Sequence, residues 1–322
     1  MRPTGCCAAS AAARDGPVVT ARILLSPRSG AVRIALVIDG TLTDYVLWFP
    51  GSPDGVGDLH SGRVTARAKA MGGVFVEIGG EEGFLPDGAG GGGLSDGDAV
   101  AVRVTRAAHG DHSGGGQGGG RKGKRLAVAK GTAPGPRPGL IERGPGPLAD
   151  LLAHAPDAEL RADDYALIAD LRGRFPRIDH DKDAFAGIED EVAGLAEPVF
   201  PLPMGARASV SPTPALTAID VDAGAATADR AGKAASQAWL NRAAIPELAR
   251  QIRLRSLGGA ILIDFAGMRP SARASLGPDL ASALAGDPAK PRLIGFTALG
   301  FAEILRPRLR APLHDLLERA RP

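Results

Sequence analysis

LTAIDVDAG (residues 216–224) and GAILIDFAGM (residues 259–268) decide how this chain folds. In the first, the apolar run Leu216, Ala218, Ile219 ends in Asp220-Val221-Asp222; in the second, Ala260, Ile261, Leu262 and Ile263 end in Asp264. Short apolar runs bounded by polar residues and glycine read as buried central strands. Side chains alternate along a strand, which puts Asp220 and Asp222 on one side. A carboxylate beside a buried strand is costly unless it is paired, hydrogen-bonded or bound to metal. If the two strands are neighbours, three carboxylates converge, and their repulsion calls for a divalent cation; all-oxygen ligation suits Mg²⁺ or Mn²⁺. An Asp in this position also serves as a turn residue or as the cap of a following helix, so spacing alone leaves both roles open.

Outward from these strands, WLNRAAIPELARQIRLRSLG (residues 239–258) has helical spacing and PRLIGFTALGFAEILRPR (residues 291–308) returns to strands, giving the strand, helix, strand order of an α/β unit. Upstream, LADLLAHA (148–155), DDYALIADLRGRF (163–175) and AFAGIEDEVAGLAE (184–197) carry apolar residues at helical spacing. RIALVIDGTLTDYVLWF (33–49) is an antiparallel hairpin turning at Asp39-Gly40. The runs HSGRVTARAKAMGGVFVEIG (60–79), EEGFLP (81–86), DAVAVRVTRAA (98–108) and GKRLAVAK (123–130) are closely spaced short strands of a small barrel.

The breaks are equally legible. Residues 1–20 have no helical or strand period and read as a disordered extension. GDHSGGGQGGG (110–120) is a flexible loop that leads into the basic run Arg121, Lys122, Lys124, Arg125. GTAPGPRPGLIERGPGP (131–147) is the main linker, because proline removes donors and glycine costs backbone entropy. The organisation expected is therefore an extension (1–20), a β-hairpin (21–57), a barrel (58–130), a linker (131–147), a mixed segment (148–204) and an α/β core (205–322).

Composition sets the remaining bounds. Across 322 residues, 44% are hydrophobic and 23% charged, a globular balance, while 45 Gly and 26 Pro supply linkers. A net charge of +2 means that any nucleic-acid affinity must come from local clusters of Lys and Arg. The two cysteines, Cys6 and Cys7, are adjacent, which argues against a disulfide or cysteine-ligated metal. No apolar run reaches the roughly 18 residues of a membrane span, no secretory signal is legible, and the cytoplasm is the expected compartment. His60, His109, His112, His154, His180 and His314 show no ligand spacing and receive no role.

The two opening segments, together with LARQIRLRSLG (248–258) and LIGFTALGFAEILRPR (293–308), closely resemble the catalytic core of the ribonuclease E/G family, in the same order. RVTARAKAMGGVFVEIGGEEGFLP (63–86) resembles the S1 barrel of that family, and the hairpin resembles the one that precedes it. The resemblance extends over about residues 22–130 and 160–310. It implies an α+β and α/β multidomain protein in which an S1-like (OB-fold) barrel is inserted after the N-terminal hairpin of an RNase H-like subdomain, followed by a DNase I-like α/β catalytic core. It also implies a cytoplasmic endoribonuclease that cleaves single-stranded RNA, leaves 5′-phosphate ends, and acts in RNA processing, ribosomal RNA included, or decay. Asp220 and Asp264 fall on the family's Mg²⁺-binding aspartates, with Mn²⁺ as an alternative and Asp222 as a third ligand in place of the family's Asn. Phe75, Phe84 and Lys122 fall on the RNA-gripping positions of the barrel, supported by Arg121, Lys124 and Arg125. From the residues alone, Phe75 between Val74 and Val76 reads first as barrel core, and the basic run reads equally as a solvated strand or a phosphate footprint. Asn241, Arg253, Arg255, Arg306 and Arg308 are supporting candidates, set against solvated helix-surface roles.

The departures from the family matter as much. The segment between barrel and core is short, and IERGPGP (141–147) stands where the family has its Arg-Thr signature for a 5′ monophosphate. No cysteine follows Cys7, so no zinc and no zinc-linked dimer is expected, which leaves a homodimer without that link. The second Asp of the family's Asp-Phe-x-Asp-Met segment is Gly267. These losses support an alternative reading, a non-catalytic S1-type RNA-binding protein on a degenerate nuclease core.

Overall fold

The computed structural model describes residues 20–108, 123–224 and 233–320. The expected extension, the glycine-rich loop, Arg121 and Lys122 lie almost wholly or entirely outside these residues.

The N-terminal meander comprises β1 (Ala21–Arg28), β2 (Ala31–Ile38) and β3 (Thr41–Trp48). Its two turns, Ser29-Gly30 and Asp39-Gly40, have positive φ at both central positions, the conformation that matches strand twist in a two-residue hairpin. The chain then leaves for the barrel and returns as α1 (Gly146–His154), β10 (Glu159–Ala162), α2 (Tyr165–Arg172), β11 (Ile178–His180) and α3 (Glu189–Gly194). β10 pairs in parallel with β1, completing a sheet of order β11-β10-β1-β2-β3. One face packs Ile23, Leu25 and Ile34 against α1 and α2; the other packs Leu24, Ala35 and Tyr45 against Phe185, Val192 and Leu195. Burial on both faces explains why IALVI is continuously apolar rather than alternating.

The barrel contains β4 (Leu59–Ala68), β5 (Gly73–Glu77), β6 (Glu82–Pro86), β7 (Ala99–Arg106) and β8 (Lys124–Val128). The order β5-β6-β8-β7-β4 closes through β4–β5 pairing, which makes a five-stranded, OB-like barrel. Val64, Val74, Val76, Leu85, Val102 and Leu126 fill it. The Pro/Gly segment is more ordered than its composition indicates: β9 (Gly139–Glu142) pairs with β4, and Gly144 lies against the backbone of Val56 and Gly57, where a Cβ would meet an oxygen at 2.5 Å.

The final sheet runs β12 (Val199–Pro201), β13 (Arg207–Pro212), β14 (Leu216–Asp222), β15 (Gly259–Asp264), β17 (Ala302–Arg306) and β16 (Arg292–Phe296). β14 and β15 are parallel, joined by α4 (Lys233–Leu254), while α5 (Pro270–Arg273) and α6 (Gly277–Leu284) lead to β16. Leu248 and Ile252 of α4 and Leu280 of α6 cover Ile219, Ile261 and Ile263 on one face. The opposite face is open: Ala260 is exposed, Leu262 partly so, and Leu305 and Ile294 are 42% and 56% exposed. The chain closes with α7 (Leu313–Arg319), which packs on the meander. Among the described residues, no helix is long and apolar enough to cross a membrane.

Arginines tie these layers together. Arg253 grips Asp44 of β3 through Nε and Nη2, each at 2.5 Å, and Arg255 donates to the Leu195 and Glu197 carbonyls at 3.0 and 2.7 Å. Arg253→Ala leaves the buried Asp44 carboxylate without its cation, with only the Thr43 hydroxyl donating to it at 3.3 Å, and is expected to cost about 3 kcal/mol in urea unfolding. Removing both charges in Arg253→Ala/Asp44→Ala is expected to recover part of that loss; a double variant no better than the single would place the cost elsewhere.

A second prediction concerns His60, buried in the barrel with Nδ1 at 2.9 Å from the Ile78 carbonyl and Nε2 without a hydrogen bond. Burial holds its pKa below the ordinary 6.5, outweighing the Ile78 bond and Asp58, which act in the opposite sense. The unfolded chain therefore takes up this proton at higher pH than the folded one. The contribution is complete above the unfolded pKa and is lost as pH falls through that value towards the folded pKa. Thermal melts are expected to show a fall in Tm from about pH 7 to pH 5 that is reduced in His60→Gln. An identical fall in both proteins would exclude His60 as its source.

Candidate functional site

The parallel pairing of β14 and β15 sets Leu216 opposite Ala260, Ile219 opposite Ile263, and Asp220 opposite Asp264. Because alternate residues face opposite ways, burying Ile219, Val221, Ile261 and Ile263 under α4 sends Asp220 and Asp264 to the open face. They sit on strands about 4.8 Å apart, at the carboxyl ends where ligands of open α/β sheets bind. Asp220 is exposed and has no side-chain partner among the described residues.

The turn after β15 is held from behind. Asn241 of α4 is fully buried; its Nδ2 donates to the Ala266 and Gln237 carbonyls, each at 2.9 Å, and its Oδ1 accepts from Ala266 N at 3.1 Å. This two-way clamp seats Phe265 in the core and fixes where Asp264 emerges. Asn241 is therefore an interior support and not a helix-surface residue. Gly267 follows with φ +63°, and a Cβ there would lie 2.2 Å from Gln237 Nε2. Gln237 fills the space a side chain at 267 would need, so a carboxylate at this position is excluded sterically unless Gln237 moves.

Arg273 of α5 was not legible as a site residue. Its Nη1 donates to Asp264 Oδ1 at 2.5 Å, its Nε to the Met268 carbonyl at 3.1 Å, and only 12% of its side chain is exposed. An arginine nine positions after the aspartate in a short helical turn gives no periodic signal; only the fold back over the strand end brings the two together.

The expected convergence of three carboxylates is not what the geometry shows. Asp222 lies on the same face but turns towards β13, where Arg207 donates to its Oδ2 from Nε and Nη2 at 3.0 and 2.8 Å, and Gly224 N donates to its Oδ1 at 3.0 Å. The Gly224 amide and Arg207 together hold the Asp222 carboxyl below its ordinary pKa. Among the described residues, no group of three or more His, Cys, Asp or Glu is arranged to hold a metal. What remains is a pair, Asp220 with both oxygens unengaged and Asp264 with one on Arg273. That donor set fits a hard divalent cation such as Mg²⁺ or Mn²⁺, which commonly takes one or two carboxylates and completes its shell with water and substrate phosphate.

The four supporting arginines lie elsewhere. Since α4 returns antiparallel to the strands, Arg253 in its last turn and Arg255 just after it are at the end of the sheet opposite Asp264, and both are engaged in the interlayer ties described above. Arg306, opposite Gly259 at the start of β15, is buried on Asp287 at 2.6 Å, and Arg308 donates to the Gly258 carbonyl at 2.9 Å. None is brought to the aspartate pair.

On the barrel, Val74, Val76 and Leu85 are buried, so Phe75 and Phe84 point outward. Phe75 is thus an exterior residue, against the first reading of its flanking valines. The two are register partners on β5 and β6, with ring centroids 5.5 Å apart and planes at 62°. Arg125 lies beside Phe84 on β8, and Arg106 beside Arg125 on β7. Arg125 is exposed, whereas Lys124 is tied to Glu81 at 2.5 Å. A groove of ≈ 1080 Å³ runs along Phe75, Phe84, Arg106 and Arg125, with Glu81 and Glu82 at its edge.

The model of the ribonuclease E/G family matches residues 172–309, the stretch that carries both aspartates and their supports. Ribonuclease E of Nostoc sp. is 34% identical over 146 residues, covering 43% of this chain and 21% of that protein. Ribonuclease G of Escherichia coli is 34% identical over 131 residues, 40% of this chain and 27% of that protein. Ribonuclease E of Escherichia coli is 35% identical over 130 residues, 40% of this chain and 12% of that protein. The matched part therefore spans roughly a quarter or less of these relatives. Over residues 172–309, the chain is similar to the ribonuclease E/G family.

Proposed function

We propose that this protein is a metal-dependent endoribonuclease that cleaves single-stranded RNA and leaves 5′-phosphate ends, in RNA processing, ribosomal RNA included, or in decay in the cytoplasm. The observation that carries the reading is the in-register Asp220–Asp264 pair on the open face of the sheet. Asp220 and Asp264 would hold Mg²⁺ or Mn²⁺, which when bound supplies charge stabilisation at phosphorus and a more acidic water. Arg273 keeps the Asp264 carboxylate aimed along the strand end, and the Asn241 clamp keeps the turn in place. On the barrel, Phe75 and Phe84 offer aromatic faces to unpaired bases, worth about 1–3 kcal/mol per base, and Arg125 offers a cation to phosphate. Hydrolysis breaks the P–O3′ bond, sends a proton to the departing 3′ oxygen and leaves the phosphate on the 5′ oxygen.

The second reading, RNA binding without cleavage, is favoured by the pairing of Asp222 with Arg207 and by Gly267, which leave two carboxylates where the resemblance implied more. One experiment separates the two. A 5′-labelled, unstructured, AU-rich RNA is expected to be cut internally in Mg²⁺, to stay whole in EDTA, and to be cut at least about 100-fold more slowly by Asp220→Asn/Asp264→Asn. Cleavage at an equal rate by that variant refutes the assignment of the aspartates; a bound but uncut RNA in every lane establishes the binding protein.

A further inference from the structure

A second basic site lies where the barrel meets the core. Arg106 of β7, Lys290, Arg292 of β16, Arg306 of β17 and Arg308 line a groove of ≈ 430 Å³ floored by Gly259 and Ala260, and none of its lining residues is acidic. The meeting is fixed by backbone: Ala107 N donates to the Leu309 carbonyl at 3.0 Å, which brings the end of β7 against the segment after β17. Arg308 is laid over Gly258 and Gly259, where a Cβ at either would come within 3 Å of it.

The charge in this groove is only partly compensated. Arg306 is neutralised by Asp287, at 2.6 and 3.2 Å. Lys290 and Arg292 are exposed, with no side-chain ion pair among the described residues. Arg106 faces Arg125 and Arg308, its Nε is buried without a hydrogen bond, and burial together with these two like charges lowers its pKa. Cations gathered from two separate parts of the fold repel one another, and an unpaired buried donor costs free energy, so the arrangement is matched to an anion. Planar guanidinium forks suit phosphate oxygens, and no aromatic ring lines the groove to take a base.

The position of the groove narrows the ligand. Arg106 borders this groove and the aromatic one, so a row from Phe75 and Phe84 through Arg125 and Arg106 leads into it. From Gly259 in its floor, β15 runs along the open face to Asp264, five residues or about 16 Å away. We propose that Arg106, Arg292 and Lys290 form a clamp for the phosphodiester backbone of single-stranded RNA, between the barrel's aromatic pair and the Asp220–Asp264 pair. The proposal rests on the RNA-directed reading above and adds a geometric consequence. A backbone held at one end of β15 meets the aspartates at a fixed distance, so the clamp selects which phosphodiester reaches them.

The test uses the full chain carrying Asp264→Asn, so that RNA is bound and not consumed, and a fluorescein-labelled short oligouridylate read by anisotropy across a salt series. Arg106→Ala/Arg292→Ala is expected to bind roughly tenfold more weakly, with the slope of log K against log salt shallower by about 1.4, or 0.7 for each lost phosphate contact. Arg106→Lys/Arg292→Lys retains the charges and is expected to keep the slope, which separates lost phosphate contacts from a disturbed fold. Phe84→Ala is expected to weaken binding with the slope unchanged. Unchanged slope and affinity in the alanine pair, while Phe84→Ala weakens binding, overturns the clamp and leaves the barrel reading standing. No binding by the parent chain at low salt overturns the RNA-directed reading and the clamp with it.

Discussion

Everything chemical in this protein depends on the parallel register of β14 and β15. Two aspartates 44 positions apart in sequence become lateral neighbours because Ile219 pairs with Ile263 and the next residues follow in step. A slip of one residue would turn an aspartate into the apolar layer under α4 and an isoleucine out of it, at the cost of an unpaired buried charge. The register is therefore enforced by burial, and the carboxylates are held in place by the hydrophobic residues between them. The Asn241 clamp completes this from the other side, because satisfying both polar groups of Ala266 leaves the turn one way to leave the strand.

The open face follows from the same layering. α4 and α6 cover one side of the six-stranded sheet and no element among the described residues covers the other, so the aspartates emerge on a surface with room for a chain to lie across it. Arginine fixes that sheet to the meander and the barrel. Arg253 on Asp44, Arg255 on carbonyls of the segment after α3, and Arg310 on Asp54 and Asp150 join parts of the chain far apart in sequence. A planar, always charged fork with five donors suits such junctions, since one side chain satisfies several acceptors where layers meet.

Outside these junctions, cationic groups serve a different end. Arg125 on the barrel, with Lys290 and Arg292 at the seam, faces solvent without an acidic partner among the described residues, and the aromatic pair lies beside Arg125. A near-neutral chain thus carries a paired set of arginines that ties layers together and, apart from it, exposed cations such as Arg125, Lys290 and Arg292 without an acidic partner among the described residues. Net charge does not show this division, because it depends on which arginines find carboxylates in three dimensions.

The local elements were legible because period and turn chemistry are local. Alternation and Asp39-Gly40 identified the hairpin, short spaced strands identified the barrel, and the two apolar runs ending in aspartate identified the central strands of the core, while the role proposed for the aspartates came from resemblance to a known family. The remainder needed tertiary structure, since it concerns partners distant in sequence. Phe75 turned outward only once its valine neighbours were enclosed by a closed barrel, and Asp222 left the carboxylate group because Arg207 stands opposite it on β13. Arg253, partly buried, and Arg255 and Arg306, buried, proved to be ties, and Arg273 joined Asp264, through contacts that no periodic pattern encodes. The sequence by itself determined which residues lie in strands and which carboxylates end them. Only the packing of those strands decided which charges meet, because pairing energy depends on distance across the fold and on exclusion of water, not on separation along the chain.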